Sequence, residues 1–209
     1  MRLHGFFRSS AAWRVRIALG LKGMTYEQVS HHLRRGEHLS PEYLAINPQG
    51  LLPALELDDG QVLTQSLAIC EYLDEIAPEP PLLPRRPLGR AVARALAEII
   101  ACDVHPVQNL KILTRLRRLG ADEEAIQGWA RETIEEGLGA FEARVADTSG
   151  RYSVGDMPTL ADICLIPQLG NARRFGAPLV WPRILAIESA CLELPAFALA
   201  APDRQPDAE

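Results

Sequence analysis

The apolar run from Leu3 to Phe7 ends at two hydroxyl residues, Ser9 and Ser10, and a helical pattern begins at once, with Trp13, Ile17 and Leu21 spaced four apart. A continuous apolar run followed by a four-residue period predicts a strand handing over to a helix with one buried face. Gly23 stops that helix, and the β-branched and aromatic stretch Thr25 to Val29 predicts a second strand. Strand, helix and strand within about 30 residues match the size of a βαβ unit. A polar, basic loop, His31 to Leu39, follows, and Ser40-Pro41 opens a short helix that closes at Asn47-Pro48. Leu52-Pro53 stands at the entry of a strand, Ala54 to Leu57, after a turn, a place suited to a cis peptide bond. Asp58-Asp59-Gly60 makes a hairpin turn into Val62 to Thr64. Behind Gln65-Ser66, residues Ile69, Cys70, Tyr72, Leu73 and Ile76 mark the apolar stripe of a helix from Leu67 to Ile76.

The pattern then changes. Residues 77–84 carry four prolines in Ala-Pro-Glu-Pro-Pro-Leu-Leu-Pro and read as a linker. Beyond Gly89 the periodicity is almost wholly helical. One long helix is predicted from Arg90 to Arg118, bent at His105-Pro106, and a second from Asp122 to Val145, whose acidic start suits a positive helix end. After an irregular loop at 150–156, Thr159-Leu160-Ala161-Asp162 has the form of a capping box before an apolar run. A helix to Phe175 and one or two short helices between Pro182 and Ala201 complete the pattern, and the polar residues from Pro202 predict a loose tail. The fold class is therefore α/β plus all-α: a small α/β domain over residues 1–80 and an all-helical domain over 88–209.

At 209 residues the chain can form one large domain or two modest ones, and 47% hydrophobic with 23% charged residues is an ordinary globular composition. The net charge of −5 with no basic tract speaks against nucleic-acid binding. No apolar run approaches a membrane span, and no signal-peptide pattern opens the chain, so a cytoplasmic protein is expected. Cys70, Cys102, Cys164 and Cys191 are scattered in apolar stretches, which predicts buried, reduced thiols rather than a disulfide frame or a zinc site. His31, His32 and His38 lack a carboxylate or thiol to complete a ligand set, and no metal is expected.

Candidate chemistry collects at helix starts. Ser9 and Ser10 sit beside free N–H groups and the positive end of a helix, a place that attracts anions and could hold a thiolate; a plain N-cap accounts for the same serine. Gln65 and Ser66 repeat the situation, with a bound carboxylate or a cap as the two readings.

Ser9-Ser10 before Trp13-Arg14-Val15-Arg16-Ile17-Ala18-Leu19 resembles the signature of zeta-class glutathione transferases, the class of maleylacetoacetate isomerases. Asn47-Pro48-Gln49-Gly50-Leu51-Leu52-Pro53-Ala54-Leu55, Gln65-Ser66-Leu67-Ala68-Ile69, Gly155-Asp156 with Thr159 to Asp162, Asn171 to Phe175 and Arg204-Gln205-Pro206-Asp207 are similar to the same family. Cys102-Asp103 with His105 to Asn109 resembles bacterial members, including maleylpyruvate isomerases. The resemblance implies a thioredoxin-like domain that grips glutathione, followed by a helical domain, in a homodimer. It implies that Ser9 donates to the glutathione thiolate with Ser10 beside it, and that the backbone of Leu52, before a cis-Pro53, pairs with the cysteinyl unit. Gln65 and Ser66 would take the γ-glutamyl end, His38 would stand where relatives place a glutamine near the glycine carboxylate, and His105 and Asn109 would also reach the cofactor. Arg8 and Arg174 would bind the carboxylates of a small cis-enone dicarboxylate held between the domains. One departure is plain: the family's Ser-Ser-Cys motif has Ala11 in third place here.

The implied reaction is cis-to-trans isomerisation of a conjugated double bond, by reversible thiolate addition. Arginine suits the substrate because its planar fork binds carboxylates bidentately. Arg173 points about 100 degrees away from Arg174 on a helix and is expected to be solvated, while Arg14 and Arg16 are expected as structural ion-pair partners, with Arg14 also close enough to the Ser9-Ser10 junction to take part there. A glutathione transferase acting on electrophiles such as α-halo acids, and a non-catalytic glutathione-fold protein, are the competing readings.

Overall fold

The computed structural model describes residues 1–209. They form two compact units, Met1–Leu82 with Leu192–Glu209, and Leu83–Cys191. The helical domain expected to run to residue 209 thus stops at Cys191, and the remaining residues pack with the N-terminal unit.

The first unit is built on a four-stranded sheet in the order β2-β1-β3-β4. Strand β1 (Arg2–Gly5) pairs in parallel with β2 (Glu27–Ser30), and antiparallel with β3 (Ala54–Glu56), which pairs antiparallel with β4 (Val62–Thr64). Helix α1 (Ser10–Leu21) makes the crossover between the parallel strands, as βαβ geometry requires. Short α2 (Pro41–Ile46), α3 (Ser66–Ile76) and α9 (Pro195–Leu199) complete the unit. Against the one-faced stripe expected, α1 is buried almost all round: Ser10 to Ala12 and Arg14 to Leu19 are buried, whereas Trp13 is only half-buried. The cause is packing on opposite sides, against α3 and against α9. Gly20 fits there because a Cβ would lie 3.2 Å from the Ala196 backbone.

The tail expected to be loose from Pro202 is a further correction. Gln205 donates to the carbonyls of Leu199 (2.9 Å) and Ala201 (2.8 Å), and Asp207 accepts from the Phe7 amide at 3.0 Å. Polar composition misled here because these side chains replace water with backbone partners.

The second unit is helical: α4 (Pro87–Glu98), a π-helical stretch at Ile99–Val104, α5 (Leu110–Arg118), α6 (Glu123–Val145), α7 (Leu160–Phe175) and α8 (Pro182–Leu192). The single helix expected from Arg90 to Arg118 is in fact three segments. Its interruption covers the expected bend, and Val104 in the π-helical stretch lies so close to α6 that a Cβ on Gly137 would meet its Cγ2 at 2.0 Å. Only glycine admits that approach.

The capping box forms as expected. Buried Asp162 accepts from the amides of Ser153 (2.8 Å) and Thr159 (2.7 Å) and from the Thr159 hydroxyl (3.1 Å). Burial pushes its carboxyl up, while the Ser153 and Thr159 donors pull it back. Asp162→Asn replaces one acceptor oxygen with a donor that faces another donor. We expect it to lower the unfolding free energy by about 2 kcal/mol, read from urea denaturation; an unchanged midpoint would remove the box from the list of stabilising contacts. Three of the four cysteines are buried as expected, but Cys102 is exposed, and none is in a disulfide. No helix is long and apolar enough to cross a membrane.

Candidate functional site

Strand β1 ends at Gly5 rather than Phe7, because the chain turns there: the Ser9 amide donates to the Phe6 carbonyl at 2.9 Å. Ser9 then takes extended dihedrals (φ −70°, ψ 111°), and its Oγ accepts from the Ala12 amide at 3.2 Å. It is the N-cap of α1. This role does not exclude the other one. A hydroxyl that accepts from a helix N–H keeps its own proton free to donate to an anion. Ser10 is the first residue of α1 and buried, and Arg8 lies half-exposed beside Phe7, its guanidinium 6.0 Å from the ring centroid.

Gln65 and Ser66 behave otherwise. Gln65 is the N-cap residue of α3 but makes no side-chain cap bond, and it is held at φ +69°. For a residue with a Cβ such a conformation is uncommon and concentrates at functional sites. Its amide donates to Gln49 Oε1 at 2.9 Å, which joins it to the turn at 47–53. Ser66 is the first helical residue, and its Oγ accepts from Arg14 Nη1 at 3.2 Å. The plain-cap reading of this pair therefore fails: neither side chain caps the helix.

Arg14 and Arg16 are not in the ion pairs expected of them. Arg16 donates to the carbonyls of Ala200 (3.0 Å), Phe7 (3.0 Å) and, at the limit, Phe6 (3.5 Å). Arg14 is 2% exposed, and its Nε and Nη2 have no hydrogen-bond partner in the chain. A buried cation with two unmatched donors costs several kcal/mol in place. Such a group fits an anion arriving from outside the chain, next to the free amide N–H groups that open α3. Helical periodicity does not single out Arg14, because its burial depends on α3 packing against α1.

The turn before β3 is firmly built. Asn47 Nδ2 and the Tyr43 hydroxyl both donate to the Leu51 carbonyl, at 2.7 and 2.6 Å. Gly50 takes φ +59°, and a Cβ on it would lie 2.8 Å from Leu39 and 3.3 Å from the His38 carbonyl. Leu52-Pro53 is cis, as expected. His38 follows this packing into the same turn. Burial lowers its pKa, and its Nδ1 has no partner within the chain. His31 and His32 are engaged elsewhere: His31 Nε2 lies 3.0 Å from His4 Nδ1, and His32 Nδ1 accepts from the Arg35 amide at 3.2 Å. Burial, then the neighbouring His4, lowers the His31 pKa.

The second unit carries the remaining candidates. Asn109 is the N-cap of α5, its Oδ1 accepting from Lys111 and Ile112 amides at 3.0 and 3.4 Å. His105 ends the π-helical stretch, and its amide donates to the Ile100 carbonyl at 2.8 Å. The turn between them is held by Trp129, whose Nε1 donates to the Val107 carbonyl at 3.1 Å. At the end of α7, Phe175 packs on Leu113, Ile126 and Ala130, and the Arg174 guanidinium lies 4.8 Å from the Phe175 ring centroid. Arg174 Nη2 donates to Asn171 Oδ1 at 2.9 Å, and Asn171 Nδ2 donates to Gln168 Oε1 at 3.1 Å. This polar row with a three-residue step holds Arg174. Arg173 is exposed, as expected, and also grips Glu188 through two bonds of 2.6 Å.

Comparison with known proteins agrees across the chain. Residues 3–81 match the N-terminal domain model of glutathione S-transferases, and residues 90–187 the C-terminal domain model. A maleylpyruvate isomerase from Ralstonia sp is 50% identical, with 99% of each chain covered. A maleylacetoacetate isomerase from Pseudomonas aeruginosa is 46% identical over 99% of this chain and 98% of its own length. A solved maleylacetoacetate isomerase from Methylobacterium extorquens, with bound malonate and glutathione, superposes with a TM-score of 0.96 at 42% identity, covering all of both chains.

Proposed function

The chain belongs to the zeta-class branch of the glutathione S-transferase family, and from that premise we propose that it is a glutathione-dependent cis–trans isomerase of a maleyl diacid. Maleylacetoacetate, converted to fumarylacetoacetate, is the first substrate of this reading; the 50% identical relative named for maleylpyruvate supports that compound as the second. The observation that carries the reading is Ser9, a hydroxyl with a proton to give at the start of a buried helix.

The residues present fit glutathione. Arg14 offers two unmatched buried donors next to Ser66, Gln65 is held in an uncommon conformation without capping its helix, and His38 keeps an unmatched ring nitrogen. When bound, glutathione supplies a thiolate that adds to the double bond, makes it single so that it can rotate, and leaves again unchanged. Ser9 donates to that sulfur, with Ser10 beside it, and the α1 dipole adds about 0.3–1 kcal/mol in favour of the anion. Gln65 and Ser66, backed by Arg14, take the γ-glutamyl carboxylate. The backbone of Leu52 before Pro53 pairs with the cysteinyl unit. His38 takes the glycine end, and His105 and Asn109 add contacts to the cofactor. Arg8 and Arg174 bind the substrate carboxylates and, as cations, favour the charge that develops on the conjugated carbonyl oxygen. Ala11 puts no thiol at this place, so in this reading the thiolate comes from glutathione alone. A cytoplasmic homodimer belongs to the same reading and rests on the family likeness alone.

The test is to assay both maleyl compounds with and without glutathione while free thiol is measured in parallel. Turnover that requires glutathione yet leaves the thiol pool constant is expected. Thiol lost in step with substrate would instead make the protein a transferase acting on electrophiles.

A further inference from the structure

The turn that carries Ser9 is held from two sides, by Arg16 of α1 and by the distant Asp207. The Phe7 amide donates to Asp207 Oδ2 at 3.0 Å, and the Phe7 carbonyl accepts from Arg16 Nη2 at 3.0 Å. Ser30 Oγ donates to the same Asp207 oxygen at 2.6 Å, and Gln28 Nε2 donates to the other, Oδ1. The segment bearing Asp207 is itself anchored, since Gln205 donates to two carbonyls at the end of α9, and Arg16 Nε donates to a third, that of Ala200. Phe7 lies two residues before Ser9. Its peptide groups are thus fixed at both the N–H and the C=O by charged side chains.

We propose that Asp207 and Arg16 are positioning residues for Ser9: by holding the Phe7 peptide groups they set where the Ser9 hydroxyl points from the start of α1. The inference rests on the reading of Ser9 as the thiolate donor. The two charged groups answer each other. Burial lowers the Arg16 pKa to about 10, with Tyr26 and Asp207 opposing the shift, so the guanidinium stays cationic at neutral pH and the Asp207 carboxylate close by is balanced. Placement matters because a hydrogen bond to a thiolate weakens steeply once its angle falls far from linear, and small misplacements of catalytic groups are costly in rate.

The full chain carrying Asp207→Ala, Asp207→Asn or Ser9→Ala is titrated with glutathione bound, following thiolate absorbance against pH, and kcat and KM are measured at pH 6.5. In Asp207→Ala the bound thiol should titrate about half a unit to one unit higher and kcat fall about tenfold, with KM for glutathione within about twofold. Asp207→Asn should restore both. Its Oδ1 can still accept from Phe7 and Ser30, while its amide donates to Gln28 after that side chain turns over. Glu209→Ala, a neighbour that pairs only with His32 and Arg35, should match the parent. If Asp207→Ala loses thermal stability but titrates like the parent, Asp207 is structural only and the proposal falls. If Asp207→Ala does not fold, Gln205→Ala loosens the same segment and is read by the same titration: a raised thiol pKa supports the clamp, a parental one overturns it. A parental titration in Ser9→Ala would overturn the donor reading itself, which separates that failure from failure of the clamp.

Discussion

Ser9→Ala is expected to cut kcat/KM by about a hundredfold near neutral pH, the usual scale for removing one donor from a developing or resident anion. The sign of its pH dependence follows from the thiol. Without the hydroxyl the bound thiol moves back toward about 8.5, the value of an unperturbed cysteine-like thiol. The thiolate fraction therefore falls most at pH 6–7. Above the raised pKa the anion forms unaided, so the deficit shrinks as pH rises. Ser9 is also the N-cap of α1, so the same variant should lose about 1 kcal/mol of stability. Ser9→Asp separates the two effects. A carboxylate caps a helix as well as serine does, but it cannot donate and it repels a thiolate, so stability is kept while the thiol pKa rises beyond that of the alanine variant. Thiol titrations that coincide in parent, alanine and aspartate variants would leave Ser9 as a cap alone.

Arg174→Ala should cost between about a hundredfold and a thousandfold in kcat/KM, the range expected for losing a charge-assisted, bidentate carboxylate contact. Arg174→Lys should recover only part of this, because an ammonium lacks the planar fork. The neighbour is the control. Arg173 is engaged with Glu188 through two bonds of 2.6 Å, and the Glu188 side chain is only 9% exposed. Removing Arg173 leaves that carboxylate buried and unmatched, so Arg173→Ala should lower stability by about 1–3 kcal/mol and change kcat/KM by less than about threefold. Steady-state kinetics and urea denaturation of both variants decide the matter. Equal losses of activity in the two would remove Arg174 from the substrate site.

The contrast between these two arginines shows where sequence reading stops. Both stand in the last turn of α7, and the helical period alone says that they diverge by about 100 degrees. It does not say which one meets a carboxylate of the chain, because Glu188 lies on α8 and approaches only once the helices pack. The same holds for Arg14 and Arg16. Charged residues on a short helix read as solvent-facing or ion-paired, yet α3 and α9 cover α1 from opposite sides. Arg16 is thereby turned to backbone carbonyls and Arg14 is left with donors that nothing in the chain satisfies. Residues 202–209 depart from the loose tail expected of them for a related reason. Their polarity suggested solvent, but three of the groups that hold Asp207 lie on or beside β1 and β2, nearly the whole chain away.

What the sequence determined by itself were the local things. The strand-to-helix junction at Ser9, the proline turn at Leu52-Pro53, the hairpin at Asp58 to Gly60, the capping box at Thr159 to Asp162 and the change to helix beyond residue 89 all depend on neighbours within a few positions. Short-range sterics and hydrogen bonding suffice for each. The motif string around Ser9 also carried the family. The tertiary structure alone decided which polar groups are answered and which are left open: that Arg14 keeps unmatched donors, that Gln65 and Ser66 do not cap their helix, and that Asp207 reaches Phe7. Those outcomes depend on which distant groups become buried together, and burial, unlike propensity, is a property of the packed chain.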